Sequence, residues 1–180
     1  MKNEFVMFVG PMFGGKTTKL LSAIDRYKYQ GRNIHAFKPN VDERYSRDEI
    51  VTHWNARLPA ERITMGLDML SHINEGEASV IAVDEAFMIV GVGETQVELF
   101  KRGHTVIVSS LQLSSDFTPY EELQTMMPFA TKVEVCPAVC STCGVDAHYT
   151  KKVGGRSDHA IEVGGPEMYQ PKCFKHFNID

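Results

Sequence analysis

Apolar residues along the chain come in short runs closed by glycine or proline, with stretches of helical spacing between them. Glu4 to Val9 is an apolar run that ends at Gly10-Pro11, which predicts a buried strand feeding a tight loop. From Thr17 onward Leu20, Leu21, Ile24 and Tyr27 recur at helical spacing, with Gly31 as the expected stop. Asn33 to Lys38, closed by Pro39, completes a strand-helix-strand unit of the length that a parallel crossover needs. Ala78 to Val83 is the most continuous apolar run and stops abruptly at Asp84-Glu85, as suits a central parallel strand. A helix near Glu94 to Arg102, a strand from Thr105 to Ser109, a helix from Tyr120 to Ala130 and a strand from Lys132 to Val135 follow. Val41 to Leu58 is polar and aperiodic, and reads as a long loop carrying a short strand. The expected fold is α/β: a parallel sheet of the P-loop NTPase kind over residues 1–137, then a small module over residues 138–180. That last stretch has too little apolar material for a core of its own and should need a metal.

Composition narrows the classes. The 180 residues are 43% hydrophobic and 23% charged, which excludes fibrous and wholly disordered chains. A net charge of −4 and a pI near 6.0 argue against a general nucleic-acid or membrane-surface binder. No run approaches the roughly 18 apolar residues of a membrane span. The N-terminus leads into a strand pattern and not a signal peptide, so a cytoplasmic location is expected. All four cysteines fall in the last quarter, which in a reducing compartment suggests metal ligation.

Three constellations carry chemistry. Gly10-Pro11-Met12-Phe13-Gly14-Gly15-Lys16-Thr17 fits GxxxxGK[ST] between a predicted strand and helix, and Thr18 extends it. Glycine lets the backbone approach phosphate oxygens, the helix N-terminus adds its dipole, Lys16 bridges terminal phosphates and Thr17 offers a hydroxyl to Mg²⁺. Asp84-Glu85, at the carboxyl end of a central strand, should lie beside that loop, with one carboxylate facing Mg²⁺ and its neighbour facing the acceptor. Cys140 and Cys143 form a CxxC, and Cys173 and His176 a CxxH. Together they make the Cys₃His set of a closed structural zinc site that clamps the base of a loop spanning about Tyr149 to Met168. Cys136 falls outside both knuckles and is expected to be buried like a small apolar residue, while His72, His104, His148 and His159 have no assigned role.

Taken together, Gly10 to Thr17, Lys38 to Ser46 with Thr52-His53, Val83 to Ala86, Val139 to Thr150, and Gly164-Gly165 through Tyr169 to His176 resemble the small zinc-containing thymidine kinases over nearly the whole chain. The resemblance implies transfer of the ATP γ-phosphoryl to the 5'-hydroxyl of deoxythymidine or a related pyrimidine deoxynucleoside, with Mg²⁺, structural Zn²⁺ and a homotetrameric assembly. It makes Glu85 the base, a role that the need to deprotonate the acceptor also selects. Asp42 and Arg44 match a loop near the phosphates. Tyr169, Thr150 and the backbone of Val163, Gly164 and Gly165 match the closing loop around the base. Met12, Leu111 and Tyr120 match its apolar pocket, and Lys152 stands where an arginine near phosphate is common. The chain departs from the family pattern at Phe87, where a glutamine is usual, at Gln112, and at Ser115, where an aromatic is expected unless Phe117 replaces it. The alternative reading is a related P-loop ATPase or nucleotide-binding regulator with a zinc module and no nucleoside turnover.

Overall fold

A computed structural model describes residues 3–43, 46–52, 54–74, 76–154 and 163–178. Strand β1 (Phe5–Val9) runs into the glycine-rich loop and helix α1 (Lys16–Tyr29), which returns the chain to β2 (Ile34–Pro39). A small hairpin, β3 (Glu49–Val51) with β4 (Arg57–Pro59), precedes β5 (Glu61–Ile63). Then come β6 (Val80–Val83), α2 (Val92–Lys101), β7 (Thr105–Ser110), α3 (Glu121–Met126) and β8 (Lys132–Val135). Strands β5, β2, β6, β7, β1 and β8 lie in that order in one parallel sheet.

The alternation of side chains along the strands explains the layers. On β1, Phe5, Met7 and Val9 face a cluster with Val97, Leu99, Leu123 and Met126 of α2 and α3. Val6 and Phe8 face the opposite cluster with Leu20 and Ile24 of α1. Neighbouring side chains point to opposite faces, so a strand covered on both sides is apolar throughout, as in β1 and β6 and at the centre of β7. Because β7 and β6 lie between β1 and β2, α1 crosses over both before the chain re-enters the sheet.

Two expectations need correction. The stretch Val41 to Leu58, read as a long loop carrying a short strand, holds β3 and most of β4 as a hairpin, and the edge strand β5 lies just beyond it, outside any expected element; these pieces of three residues are too short to show a period. The helix expected to run to Ala130 stops at Met126 and tightens into a 3-10 turn at Met127–Phe129 around Pro128, which has no N–H to continue the α pattern.

Past β8 the chain forms β9 (Ala138–Val139) against β10 (Asp146–Ala147), β11 (Tyr149–Lys152) against β12 (Tyr169–Lys172), and the single turn α4 (Phe174–Phe177). Among the described residues its apolar centre is Ala138, Cys140 and Ala147, with Phe13 and Cys173 packed against them. Among the described residues, no helix is long and apolar enough to cross a membrane.

Candidate active site

The loop after β1 is shaped by what lies behind it. A Cβ on Gly10 or on Gly14 would collide with the Cys136 carbonyl oxygen, and Cys136 is itself fixed by its N–H donating to the Val9 carbonyl at 2.7 Å. Glycine at both positions is a consequence of that close approach. Gly15 has open space around it and is needed for its φ of +73°, the left-handed residue from which α1 starts. Phe13 also has positive φ, at +64°, which for a bulky aromatic costs on the order of 1–3 kcal/mol unless its surroundings enforce it. Lys16 is buried with its ammonium donating to the Pro11 carbonyl at 2.6 Å. Thr18, one residue further, is exposed and lines a cavity of about 310 Å³ between α1 and the β3–β4 hairpin.

Thr17 and Asp84 meet although their strands are not neighbours. The Thr17 hydroxyl donates to the two Asp84 carboxylate oxygens at 3.1 and 3.2 Å, and Ser109 Oγ donates to Asp84 from the end of β7. Burial, and then the charge of Glu85, push the Asp84 carboxyl up to about 6, against the pull of Ser109, Thr17 and Lys16. Glu85 follows at φ +51°, ψ +45° and opens a 3-10 turn over Ala86–Met88. This turn is pinned where the Phe87 N–H donates to Ser110 Oγ at 3.1 Å. A half-buried carboxylate in the left-handed region, beside a buried one, is the kind of local strain that concentrates at reactive sites.

The Asp84 environment predicts a pH signature. A carboxyl whose folded value lies above the unfolded value of about 3.9 stabilises the fold at low pH. That contribution disappears as pH rises through about 6. Asp84→Asn retains an acceptor oxygen without the charge. In ligand-free protein without divalent cations, this variant should therefore unfold roughly 5 °C above wild type at pH 7, from about 2–3 kcal/mol. The gap should shrink toward pH 4. Melting curves separated by the same interval at both pH values would refute the assigned environment.

On the acceptor side, Met12, Leu111, Tyr120 and Phe87 share one apolar cluster. The Phe87 and Tyr120 rings lie 4.7 Å apart, and burial pushes the Tyr120 hydroxyl up to about 12. Thr150 is buried, and its hydroxyl accepts the Met12 N–H at 2.9 Å. Lys152 and Tyr169 stand opposite each other in the β11–β12 pair. Val163, Gly164 and Gly165 lead into a turn in which the Gly165 N–H donates to the Glu167 carboxylate at 2.9 Å and its carbonyl accepts from Met168 and Tyr169. Ser115 is half-buried. Phe117 packs on Phe177 at 4.2 Å and Tyr149 at 5.1 Å, so its ring ties the 111–120 loop to the C-terminal module. Asp42 is buried just past the end of β2, with its N–H donating to the Pro39 carbonyl. Arg44, His53 and His159 lie outside the described residues.

Cys140, Cys143, Cys173 and His176 converge, with one ligand atom from each lying within 4.8 Å of the others. Cys143 and Cys173 Sγ are 3.8 Å apart, and His176 Nδ1 is 3.3 Å from Cys173 Sγ and 3.7 Å from Cys140 Sγ. Sulfurs about 2.3 Å from a tetrahedral zinc are separated by roughly 3.8 Å, so the set fits zinc with all four positions filled by protein. Burial works against ionising Cys140, but backbone N–H groups of Cys173, Thr142 and Cys143, with the Cys143 thiol, outweigh it and hold the thiol down at about 5. Cys136, outside the cluster, is buried, and burial pushes its thiol up. Among the histidines without an assigned role, His104 is buried and its Nδ1 accepts the Ser79 N–H, while His72 packs edge-on against Phe37.

The family sequence model described as "Thymidine kinase" matches residues 3–177. A curated relative named "Thymidine kinase", from Pyrobaculum aerophilum, is 34% identical over 182 aligned positions that cover 97% of this chain and 98% of the relative. The chain belongs to the thymidine kinase family.

Within this thymidine kinase family member, three site features escaped the sequence reading. Ser109 and Ser110 end an otherwise apolar buried strand, and that polar pair was the available signal for the support of Asp84 and of the turn after Glu85. The carbonyl of Cys136 behind the glycines had none, since a backbone atom has no sequence signature. The contact of Phe13 with the zinc cluster joins residues about 130 positions apart and is equally silent in the sequence.

Proposed function

We propose that this chain transfers the γ-phosphoryl of ATP to the 5'-hydroxyl of deoxythymidine or a closely related pyrimidine deoxynucleoside. The observation that carries the reading is the meeting of Thr17 with Asp84 at the mouth of the glycine-rich loop, with Glu85 next in the chain and the apolar cluster of Met12, Leu111 and Tyr120 nearby.

In this reading Gly10 to Thr18 hold the phosphates, through converging N–H groups and the start of α1, and Lys16 binds the terminal phosphates. Thr17 and Asp84 hold Mg²⁺, which supplies charge neutralisation on the transferred group, and Asp42 and Arg44 lie toward the phosphates. Glu85 accepts the proton of the 5'-hydroxyl. Met12, Leu111, Tyr120 and Thr150 receive the base, and Val163 to Gly165, Tyr169 and Lys152 close over it, excluding water. Zinc on Cys140, Cys143, Cys173 and His176 is structural. Residues 1–137 form the nucleotide-binding core and residues 138–180 the substrate module, within a homotetramer working in the cytoplasm.

The test is direct. Protein incubated with γ-labelled ATP, Mg²⁺ and a panel of free nucleosides should label thymidine and other pyrimidine deoxynucleosides at the 5' position. Phe87 and Ser115 should affect which pyrimidine is preferred, since they alter the wall of the pocket. Release of labelled phosphate alone, with no labelled nucleoside, would overturn the reading in favour of an ATPase. Better labelling of purines would overturn the pocket assignment.

A further inference from the structure

The expected division into a nucleotide-binding core and a separate substrate module makes the glycine-rich loop independent of the zinc knuckles, but the contacts around it say otherwise. Two consecutive loop residues are held by the C-terminal module. Met12 donates its N–H to Thr150 Oγ1 on β11 at 2.9 Å. Phe13 packs against the cluster of Ala138, Cys140 and Ala147, in which Cys140 carries one of the metal-ligating sulfurs and against which the ligand Cys173 also packs. Thr150 connects to the same place, because its cross-strand partner Pro171 accepts the Ser141 N–H at 3.1 Å, between the two cysteines of the first knuckle. On its other side the loop rests on Cys136, two residues before Ala138.

Phe13 is also one of the few non-glycine residues held at positive φ, a conformation that its surroundings must enforce. The surface it packs against is the small apolar cluster that includes the metal ligand Cys140. Loop shape is what sets whether the N–H groups of residues 13 to 17 converge on phosphate. A side chain anchored in the knuckles therefore transmits their order to the loop, and coupling of this kind is reciprocal.

We infer that Phe13 is a positioning residue linking the metal-clamped module to the phosphate loop, so that zinc occupancy and ATP binding strengthen each other. This rests on the proposed kinase reading, in which the loop binds ATP. Removing the anchor should weaken ATP binding more than thymidine binding, even though Lys16, Thr17 and Asp84 are intact.

The experiment has two arms. In wild-type protein, saturating ATP should slow the loss of zinc to a chromophoric chelator by about tenfold, within the usual range of such couplings. In Phe13→Ala, ATP should no longer protect the metal. In calorimetric titration the same variant should show an ATP dissociation constant raised about tenfold, with the KM for thymidine little changed and Phe13→Leu restoring most of the affinity. If zinc is lost at one rate with and without bound ATP in wild type, the coupling is absent and the inference fails, whatever the variant does. Equal losses for ATP and thymidine in Phe13→Ala would show a general packing role and also overturn it. Wild-type protein that binds no ATP at all would instead sink the kinase reading itself.

Discussion

Glu85→Gln is expected to lower kcat for thymidine phosphorylation by on the order of 10²- to 10⁴-fold while leaving nucleotide affinity nearly unchanged. The substitution keeps the shape of the side chain and most of its hydrogen-bonding capacity. Glutamine can occupy the same left-handed position before the Ala86–Met88 turn, where the Phe87 N–H donates to Ser110 Oγ. What is lost is basicity at the carboxyl end of β6, where the proposed reaction has the acceptor hydroxyl shed its proton. Asp84→Asn should fail differently. Asp84 is bonded to Thr17 and Ser109 and faces the glycine-rich loop, so its loss should weaken the response to Mg²⁺ and be partly offset by high Mg²⁺ or by Mn²⁺. The Glu85 variant should show no such rescue. Single-turnover rates with saturating ATP separate the two, and a Glu85→Gln protein that turns over thymidine near the wild-type rate would reassign the base to Asp84 or dispense with one.

The features that were legible in the sequence are those set by local chemistry. Strands buried on both faces are apolar at every position in β1 and β6 and at the centre of β7, and α1 shows its spacing from Leu20 to Tyr27; these emerge within a residue or two of their expected limits. The glycine-rich motif, the Asp-Glu strand end and the two metal knuckles were legible because their chemistry demands fixed residue types at fixed spacing. What stayed hidden depends on long-range packing. Edge strand β5 is three residues long and is stabilised by pairing with β2, so nothing in its own sequence marks it. The packing of the Phe117 ring on Tyr149 and Phe177 is likewise a long-range contact that the sequence does not mark. The link from Phe13 to the knuckles belongs to the same class, as a fact of tertiary contact between two motifs that were each readable alone.

Replacing Cys140 with serine should abolish stoichiometric zinc and lower the unfolding temperature of the protein by about 10 °C or more. Cys140 is the most deeply buried of the four ligands and also sits in the small apolar centre of the module, so both the metal and the packing around it depend on that side chain. The described part of residues 138–178 has short strand pairs and one helical turn, with only three buried apolar side chains, all small, between them, and cannot offset its chain entropy by apolar burial alone. Beyond the docking of Phe117 on Tyr149 and Phe177 and of Met12 on Thr150, metal ligation is the expected source of stability, and its loss belongs with the substitutions that cost about 4 kcal/mol or more. At roughly 2–4 °C per kcal/mol for a chain of this size, that gives the stated shift. Contacts of Phe13, Met12 and Cys136 carry the damage into the glycine-rich loop, so the melting transition should lose cooperativity and not merely shed an independent tail. Metal analysis and calorimetry on purified wild type and Cys140→Ser provide the check. One equivalent of zinc in wild type, none in the variant, and a broadened transition at lower temperature are expected. A variant that melts with the wild type, or a metal-free wild type of full stability, would show that the four ligands converge without a structural ion.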